Sequence, residues 1–235
     1  MNRAVGERMK SERFRTELIT NVSHDIKTPL TSIINYVDLL EKEQPENEKM
    51  REYLEVLDRQ SAKLKKLIDD LLEASKASSG SLNVNLTECE LGILLDQMAG
   101  EYSEKLSAAG LELILTKPEE SVKIMADGRH MWRIFDNLLN NICKYAQRGT
   151  RVYLDLTADA LKATVTFRNI SATRLNISGD ELTERFVRGD SSRNTEGSGL
   201  GLSIAQSLAQ LQKGSLDITV DGDLFKVMLR FDRIK

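Results

Sequence analysis

The sequence predicts an α+β protein in two parts: an N-terminal antiparallel helical hairpin that pairs into a dimeric four-helix bundle, then an α/β two-layer sandwich. Three observations carry this. Residues 7–79 contain no glycine, and only Pro29 and Pro45 interrupt them. Two apolar series in that stretch advance in alternating steps of three and four. Beyond the linker Ser78-Ser79-Gly80-Ser81, short β-rich runs alternate with amphipathic helical segments, and seven of the 14 glycines fall from Gly179 onward. The two parts are set at residues 1–78 and 83–235.

In the first part, Ile26, Leu30, Ile33, Val37 and Leu40 form one series. Met50, Leu54, Leu57, Ser61, Leu64, Ile68 and Leu71 form the other. The break Gln44-Pro45-Glu46-Asn47 makes a short polar turn between them, so the helices run antiparallel. So narrow a seam on two helices closes no core by itself. A second copy of the hairpin would complete it, which predicts a homodimer. With Ile26 at heptad position d, His24, Asp25 and Thr28 occupy b, c and f, opposite the seam, and His24 and Thr28 lie one turn apart. Pro29 leaves the Asp25 carbonyl without its helical donor, so the helix is expected to bend or loosen there.

In the second part, Leu91 to Lys105 reads as a helix, with further helices expected over 129–147 and 200–212. Strands are expected at Leu111–Thr116, Val122–Met125, Arg151–Leu156, Ala163–Arg168, Leu216–Val220 and Phe225–Phe231. The last two flank Asp221-Gly222-Asp223, a hairpin signal. This order implies a mixed sheet with helices stacked on one face.

Composition narrows the chemistry. A formal net charge of −3 gives no electrostatic case for nucleic acid. Cys89 and Cys143 form no spaced cluster, and His24 and His130 are the only histidines, which argues against a Cys/His zinc site and a disulfide scaffold. No apolar run approaches 18 residues and no signal peptide opens the chain. Two histidines, carboxylates, amides and bound cofactors are what remains.

Two segments carry chemistry. In Asp136-Asn137-Leu138-Leu139-Asn140-Asn141-Ile142-Cys143-Lys144-Tyr145, the residues Ile134, Leu138, Leu139 and Ile142 make an apolar face, while Asn137, Asn141 and Lys144 share another. Asparagine is a poor helix former, so three within five residues need a reason. Amide oxygens ligate a hard cation such as Mg²⁺, and a lysine on the same stripe meets phosphate oxygens; the competing reading is a polar solvent face. The second segment, Gly197-Ser198-Gly199-Leu200-Gly201-Leu202-Ser203-Ile204, leads into an apolar-periodic helix. Bare backbone amides at a helix N-terminus suit phosphate, although no Walker A lysine follows and no strand leads directly in.

Phe14 to Leu30, including His24-Asp25-Ile26-Lys27-Thr28-Pro29, resembles the phosphoacceptor box of two-component sensor histidine kinases. Asn137 to Tyr145 resembles their asparagine box, Gly197 to Leu202 their second glycine box, and Glu184-Arg185-Phe186-Val187-Arg188-Gly189-Asp190 the phenylalanine box of the lid over the nucleotide. Four boxes in family order make the resemblance specific. It implies an ATP-binding domain of the histidine kinase and gyrase type, with ATP and Mg²⁺ as cofactors. It also implies that His24 is phosphorylated, that Asp25 takes or orients the imidazole proton, and that Thr28 helps place water to dephosphorylate the partner. Asn141 would ligate Mg²⁺, with Asn137 and Lys144 at the phosphates and Tyr145 against the nucleoside. Gly197, Ser198, Gly199, Leu200 and Gly201 would form the cradle at the end of the lid.

His130 matches no phosphoacceptor pattern and is expected to be a structural residue at a helix start. One departure stands out. The family's first glycine box reads Asp-x-Gly-x-Gly, with the Asp accepting from the adenine amino group; here Asn169-Ile170-Ser171-Ala172-Thr173 carries neither glycine. Asn169 fits the Asp position, and its amide oxygen still accepts, without charge assistance. The resemblance further implies a response-regulator receiver domain as partner, no nucleic acid, and a parent anchored in the inner or plasma membrane, of which this is the cytoplasmic fragment. Two other readings are a dimeric scaffold with a decayed nucleotide pocket and a gyrase- or chaperone-type ATPase. The intact asparagine stripe argues against the first, and His24 against the second.

Overall fold

The computed structural model describes residues 26–43, 45, 47–175 and 199–234. The chain divides into two units, Met1–Leu82 and Asn83–Lys235.

The described residues of the first unit form a pair of helices, α1 over 26–42 and α2 over Glu48–Ser78. Asn47 starts α2 by accepting the amides of Lys49 and Met50 at 3.0 and 3.3 Å. The Lys27 ammonium, near the start of the described part of α1, meets Asp69, far along α2, at 2.7 Å, so the two helices run antiparallel. Both partners are nearly half exposed; the pair marks register and adds little stability. Just past Pro29, the Thr31 and Ser32 hydroxyls donate back to the carbonyls of Lys27 and Thr28, a pattern that bends helices.

The seam splits in two. Leu30, Val37, Leu54, Ser61 and Ile68, the heptad a positions, are buried within the hairpin. At the d positions, Ile26, Ile33, Leu40, Met50, Leu57 and Leu64 stay 42–51% exposed, while Leu71 is half-buried. Tyr36 and Tyr53 at g, with Leu39 and Val56 at c, extend the same exposed apolar face on both helices. One helix pair therefore closes half of a bundle core.

The second unit is a seven-stranded sheet covered by helices. It comprises β1 (Thr87–Glu90), α3 (Leu91–Ala108), β2 (Glu112–Thr116), β3 (Lys123–Ala126), α4 (Gly128–Tyr145), β4 (Arg151–Ala158), β5 (Lys162–Ile170), α5 (Gly201–Leu211), β6 (Ser215–Asp221) and β7 (Leu224–Ile234). Strand order is β1-β3-β7-β5-β4-β2, with β6 also paired to β7. Among the described strands only β2 and β4 pair in parallel; the other pairs are antiparallel. Along β4, β5 and β7, alternate residues are buried: Val152, Leu154 and Leu156; Ala163, Val165 and Phe167; Phe225, Val227, Leu229 and Phe231. This apolar face meets the helices, with Phe167 tilted on Phe135 of α4 at 5.6 Å between ring centres. The two-layer α+β sandwich expected from the sequence is what the chain forms.

Strand β1 lies outside the expected set. Thr87-Glu88-Cys89-Glu90 has no apolar alternation; it is an edge strand fixed by pairing to β3. Its last residue also starts α3, where the Glu90 carboxylate accepts the amides of Gly92 and Ile93 and reaches the Val122 amide at 3.1 Å. Tyr102 locks α3 to α4, its phenol donating to the Asp136 carboxylate and main-chain carbonyl. Burial, then that hydrogen bond, holds the phenol far above its usual pKa. At the far end of α5, a Cβ on Gly214 would lie 2.3 Å from the Phe231 ring, so only glycine fits.

Candidate functional site

Helix α4 carries the asparagine stripe. Asp127 caps its start, and Ala146 leaves the helix to bridge Ser171, which ends α4 at Tyr145 and not at 147 as expected. Met131, Ile134, Phe135, Leu138, Leu139 and Ile142 fill the core. That burial turns Asn137 and Asn141 to a half-buried flank and Lys144 to an exposed one.

The glycine segment arrives beside this stripe. Gly199 has φ +69°, backbone that suits glycine, and Leu200 stands at the N-cap of α5 without a side-chain cap. A Cβ on Gly201 would sit 3.5 Å from Asn137 Oδ1, so the bare start of α5 packs directly on the first stripe residue. The Asn137 Nδ2 donor is buried there with no hydrogen-bond partner.

The third component comes from the sheet. Asn169 continues the inward row of Ala163, Val165 and Phe167 and is 4% exposed. Its Nδ2 donates to the neighbouring Ile170 carbonyl at 3.2 Å, while its Oδ1 is buried without a partner. Main-chain bonds bring the end of β5 to the end of α4: Gln147 N–H to Ile170 O at 2.8 Å and Ala172 N–H to Tyr145 O at 2.8 Å. Asn169 therefore belongs at the same end of the layer as Tyr145.

A buried, unmatched donor and a buried, unmatched acceptor each cost about 1–3 kcal/mol unless something polar meets them. Bare amides, two asparagines and a lysine suit a polyanion with a purine-like group; these residues fit a nucleoside triphosphate. Among the described residues no cluster of three His, Cys, Asp or Glu would hold a metal ion by itself. An amide such as Asn141 fits Mg²⁺ as one ligand among several supplied by phosphates.

In the first unit, Thr28 lies exposed on α1, away from the buried a positions. His24, Asp25, Gly197 and Ser198 lie outside the described residues, as does the 184–190 box. His130 sits in the first turn of α4, where its Nε2 is 3.2 Å from the Asn83 carbonyl oxygen and 3.9 Å from the Asp127 carboxylate.

Asp127, Gln212 and Asn85 are a group that the sequence reading missed. The signal available was an aspartate placed directly before an apolar-periodic helix, an N-cap signature. Burial pushes the Asp127 carboxyl up, but the Asn85 amide, the His130 charge and the amides of Arg129 and His130 outweigh it and hold its pKa below the usual value.

Residues 14–80 match the His Kinase A (phospho-acceptor) domain, and residues 126–233 match the histidine kinase-, DNA gyrase B- and HSP90-like ATPase family. The chain belongs to the two-component sensor histidine kinases. It is 28% identical to the sensor protein VanS of Enterococcus faecium over 213 residues, 88% of this chain and 54% of VanS. It is equally 28% identical to the sensor protein kinase WalK of Staphylococcus aureus over 218 residues, 90% of this chain and 52% of that one. This histidine kinase chain thus spans about half the length of these curated relatives. Full-length ShkA, solved in complex with AMPPNP, shares its fold at a TM-score of 0.81 and 22% identity, over 93% of this chain and 46% of ShkA. The Acinetobacter baumannii histidine kinase AdeS does so at 0.60 and 14% identity, over 90% of this chain and 98% of that one.

Proposed function

We propose that this chain is an ATP-dependent protein-histidine kinase core that phosphorylates itself on His24 and passes the phosphoryl group to an aspartate of a response-regulator receiver domain. The observations that carry the reading are two buried amide atoms left to be met: Asn137 Nδ2, where the bare start of α5 packs on α4, and Asn169 Oδ1, at the end of β5 that main-chain bonds join to the end of α4.

In this reading Asn169 Oδ1 accepts from the adenine amino group and Tyr145 packs on the nucleoside. Asn137, Lys144 and the amides of 197–201 hold the phosphates, and Asn141 ligates Mg²⁺. Bound there, Mg²⁺ neutralises charge on the transferring phosphoryl group. A His24 imidazole nitrogen attacks the γ-phosphorus, forming the N–P bond as the bond from phosphorus to the β,γ-bridging oxygen breaks and ADP leaves. Asp25 takes the imidazole proton. The protein contributes chiefly positioning and charge compensation. Thr28, one turn beyond His24, orients water for hydrolysis of the regulator's aspartyl phosphate.

The exposed d and g residues of α1 and α2 support a homodimer joined through that face. No helix among the described residues is long and apolar enough to cross a membrane. We read the chain as the cytoplasmic core of a membrane-anchored sensor; its likeness to the sensor proteins VanS and WalK supports the sensor part of that reading. The test is incubation with γ-labelled ATP and Mg²⁺, followed by mapping of the acid-labile phosphate. It is expected on His24 and absent from His24→Gln; label on His130, or label retained in the variant, overturns the assignment.

A further inference from the structure

Where the chain enters the second unit it is held by more than its first strand. The ladder between β1 and β3 begins at Thr87 and Ala126. Two residues upstream of Thr87, the Asn85 amide donates to Asp127 Oδ2 at 3.0 Å, and further upstream the Asn83 carbonyl oxygen lies 3.2 Å from His130 Nε2. Asp127 is only 3% exposed, and its Oδ1 accepts the amides of Arg129 and His130 at 3.0 and 3.4 Å. Its own amide donates to Gln212 Oε1 at 2.8 Å, and Gln212 Nε2 donates to the Leu208 carbonyl at 3.0 Å. Gln212 is 2% exposed and stands at the C-cap of α5.

Capping α4 requires only the bonds to Arg129 and His130. The contacts to Asn83, Asn85 and Gln212 go beyond a cap. They tie one buried residue to the incoming chain, to the start of the helix bearing Asn137 and Asn141, and to the end of the helix that begins at Gly201. The Asp127–Gln212 part of this network is buried, so breaking its bond orphans a second group, and through Asp127 it reaches the exposed residues Asn83 and Asn85 of the entering chain.

We propose that Asp127, His130 and Gln212 are positioning residues, a clamp that delivers strain in the chain entering at Asn83 to both helices of the nucleotide site together. What those helices do rests on the kinase reading above; the coupling itself does not.

The test perturbs one end of the clamp and reads the other, by amide hydrogen exchange on the full chain without nucleotide. Gln212 bonds to Asp127 and Leu208, not to the linker. Gln212→Leu should nonetheless speed exchange of the Asn85 amide about tenfold, the worth of one hydrogen bond, while β4 and β5 keep their protection. Unchanged exchange at Asn85, or a uniform rise that includes β4 and β5, overturns the coupling. His130→Ala is the second variant, expected to speed exchange over 208–214; unchanged protection there overturns it equally. At saturating Mg-ATP, both variants should autophosphorylate about tenfold more slowly with nucleotide affinity held within about twofold. Affinity falling in parallel with rate would reduce these residues to support of the pocket. The exchange measurements need neither ATP nor activity, so a chain that proves not to be a kinase still decides the coupling.

Discussion

Replacing Leu57 with alanine tests what covers the hairpin's open face. Leu57 is 48% exposed at position d, whereas Leu30, at position a on the other helix, is 4% exposed. Fully burying such a side chain yields about 1.5–3 kcal/mol, so covering the exposed half of each d residue yields about 1 kcal/mol. Six d residues on each of two copies give on the order of 10 kcal/mol, before the tyrosines at g are counted. Association itself costs about 4–15 kcal/mol, so the dimer rests on a few of these residues. Leu57→Ala forfeits that contribution and leaves a cavity at the interface, about 1–2 kcal/mol of association per copy, the rest of its cost falling on the hairpin itself. Twofold symmetry counts it twice, weakening the dimer by about two to three orders of magnitude. Sedimentation equilibrium over a micromolar concentration range reads this directly, with Leu30→Ala as the contrast that lowers hairpin stability. A wild-type chain that is monomeric throughout, or a Leu57→Ala dissociation constant equal to wild type, refutes the argument.

Asn141→Ala should abolish Mg²⁺-dependent nucleotide binding with little loss of thermal stability, because the side chain is half-buried on the polar flank and its removal opens no core cavity. Nucleotide titration with and without Mg²⁺ checks it, and equal affinities would mark the stripe as a solvent face. Thr28→Ala should leave autophosphorylation intact and slow dephosphorylation of the regulator by about tenfold, one water-orienting hydrogen bond. The decay of phosphorylated regulator in excess ADP measures it. Asp127→Asn should flatten the acid limb of the stability curve. The folded-state pKa of Asp127 is lowered, so its contribution is complete above the ordinary carboxylate value of about 3.9 and is lost as pH falls below it. Denaturant midpoints on either side of that pH, compared between wild type and variant, supply the check.

The parts of the fold visible in the sequence are those where one period dominates. Met131, Ile134, Phe135, Leu138 and Leu139 repeat at helical spacing, and α4 is the helix they predict, shifted only where Asp127 starts it and Ala146 leaves it. Strand β5 was legible because Ala163, Val165 and Phe167 alternate; its extension through Asn169 was not, because an inward polar residue breaks the pattern. Strand β1 was invisible for the opposite reason, having no inward apolar row at all. In the hairpin the heptad spacing gave the seam but not its division, since a and d look alike in one chain and differ only in which neighbour covers them. The clamp escaped notice because its members lie 42 and 85 residues apart and meet through main-chain amides that carry no sequence signal.

Asn169 shows how the same site answers two demands. With its inward oxygen unmatched, it costs the empty fold about 1–3 kcal/mol as an amide. An ionised aspartate at 4% exposure with no partner would cost several times that, or would take up a proton and lose its use as an anion. The amide therefore leaves the nucleotide-free domain more stable than the family's usual acid would. The charge-assisted bond that an acid would make to a base amino group is roughly twice as strong as the neutral one available here. Stability of the empty state and grip on the base are thus set against each other at a single atom. The Nδ2 bond to Ile170 keeps that atom an oxygen: turning the amide over would lose the bond and set Oδ1 against a carbonyl. Asn169 Oδ1 thus remains an acceptor, and under the assignment proposed above the binding energy lost at the base would have to come from the phosphate end, which that assignment gives to Asn137, Lys144 and the amides of 197–201.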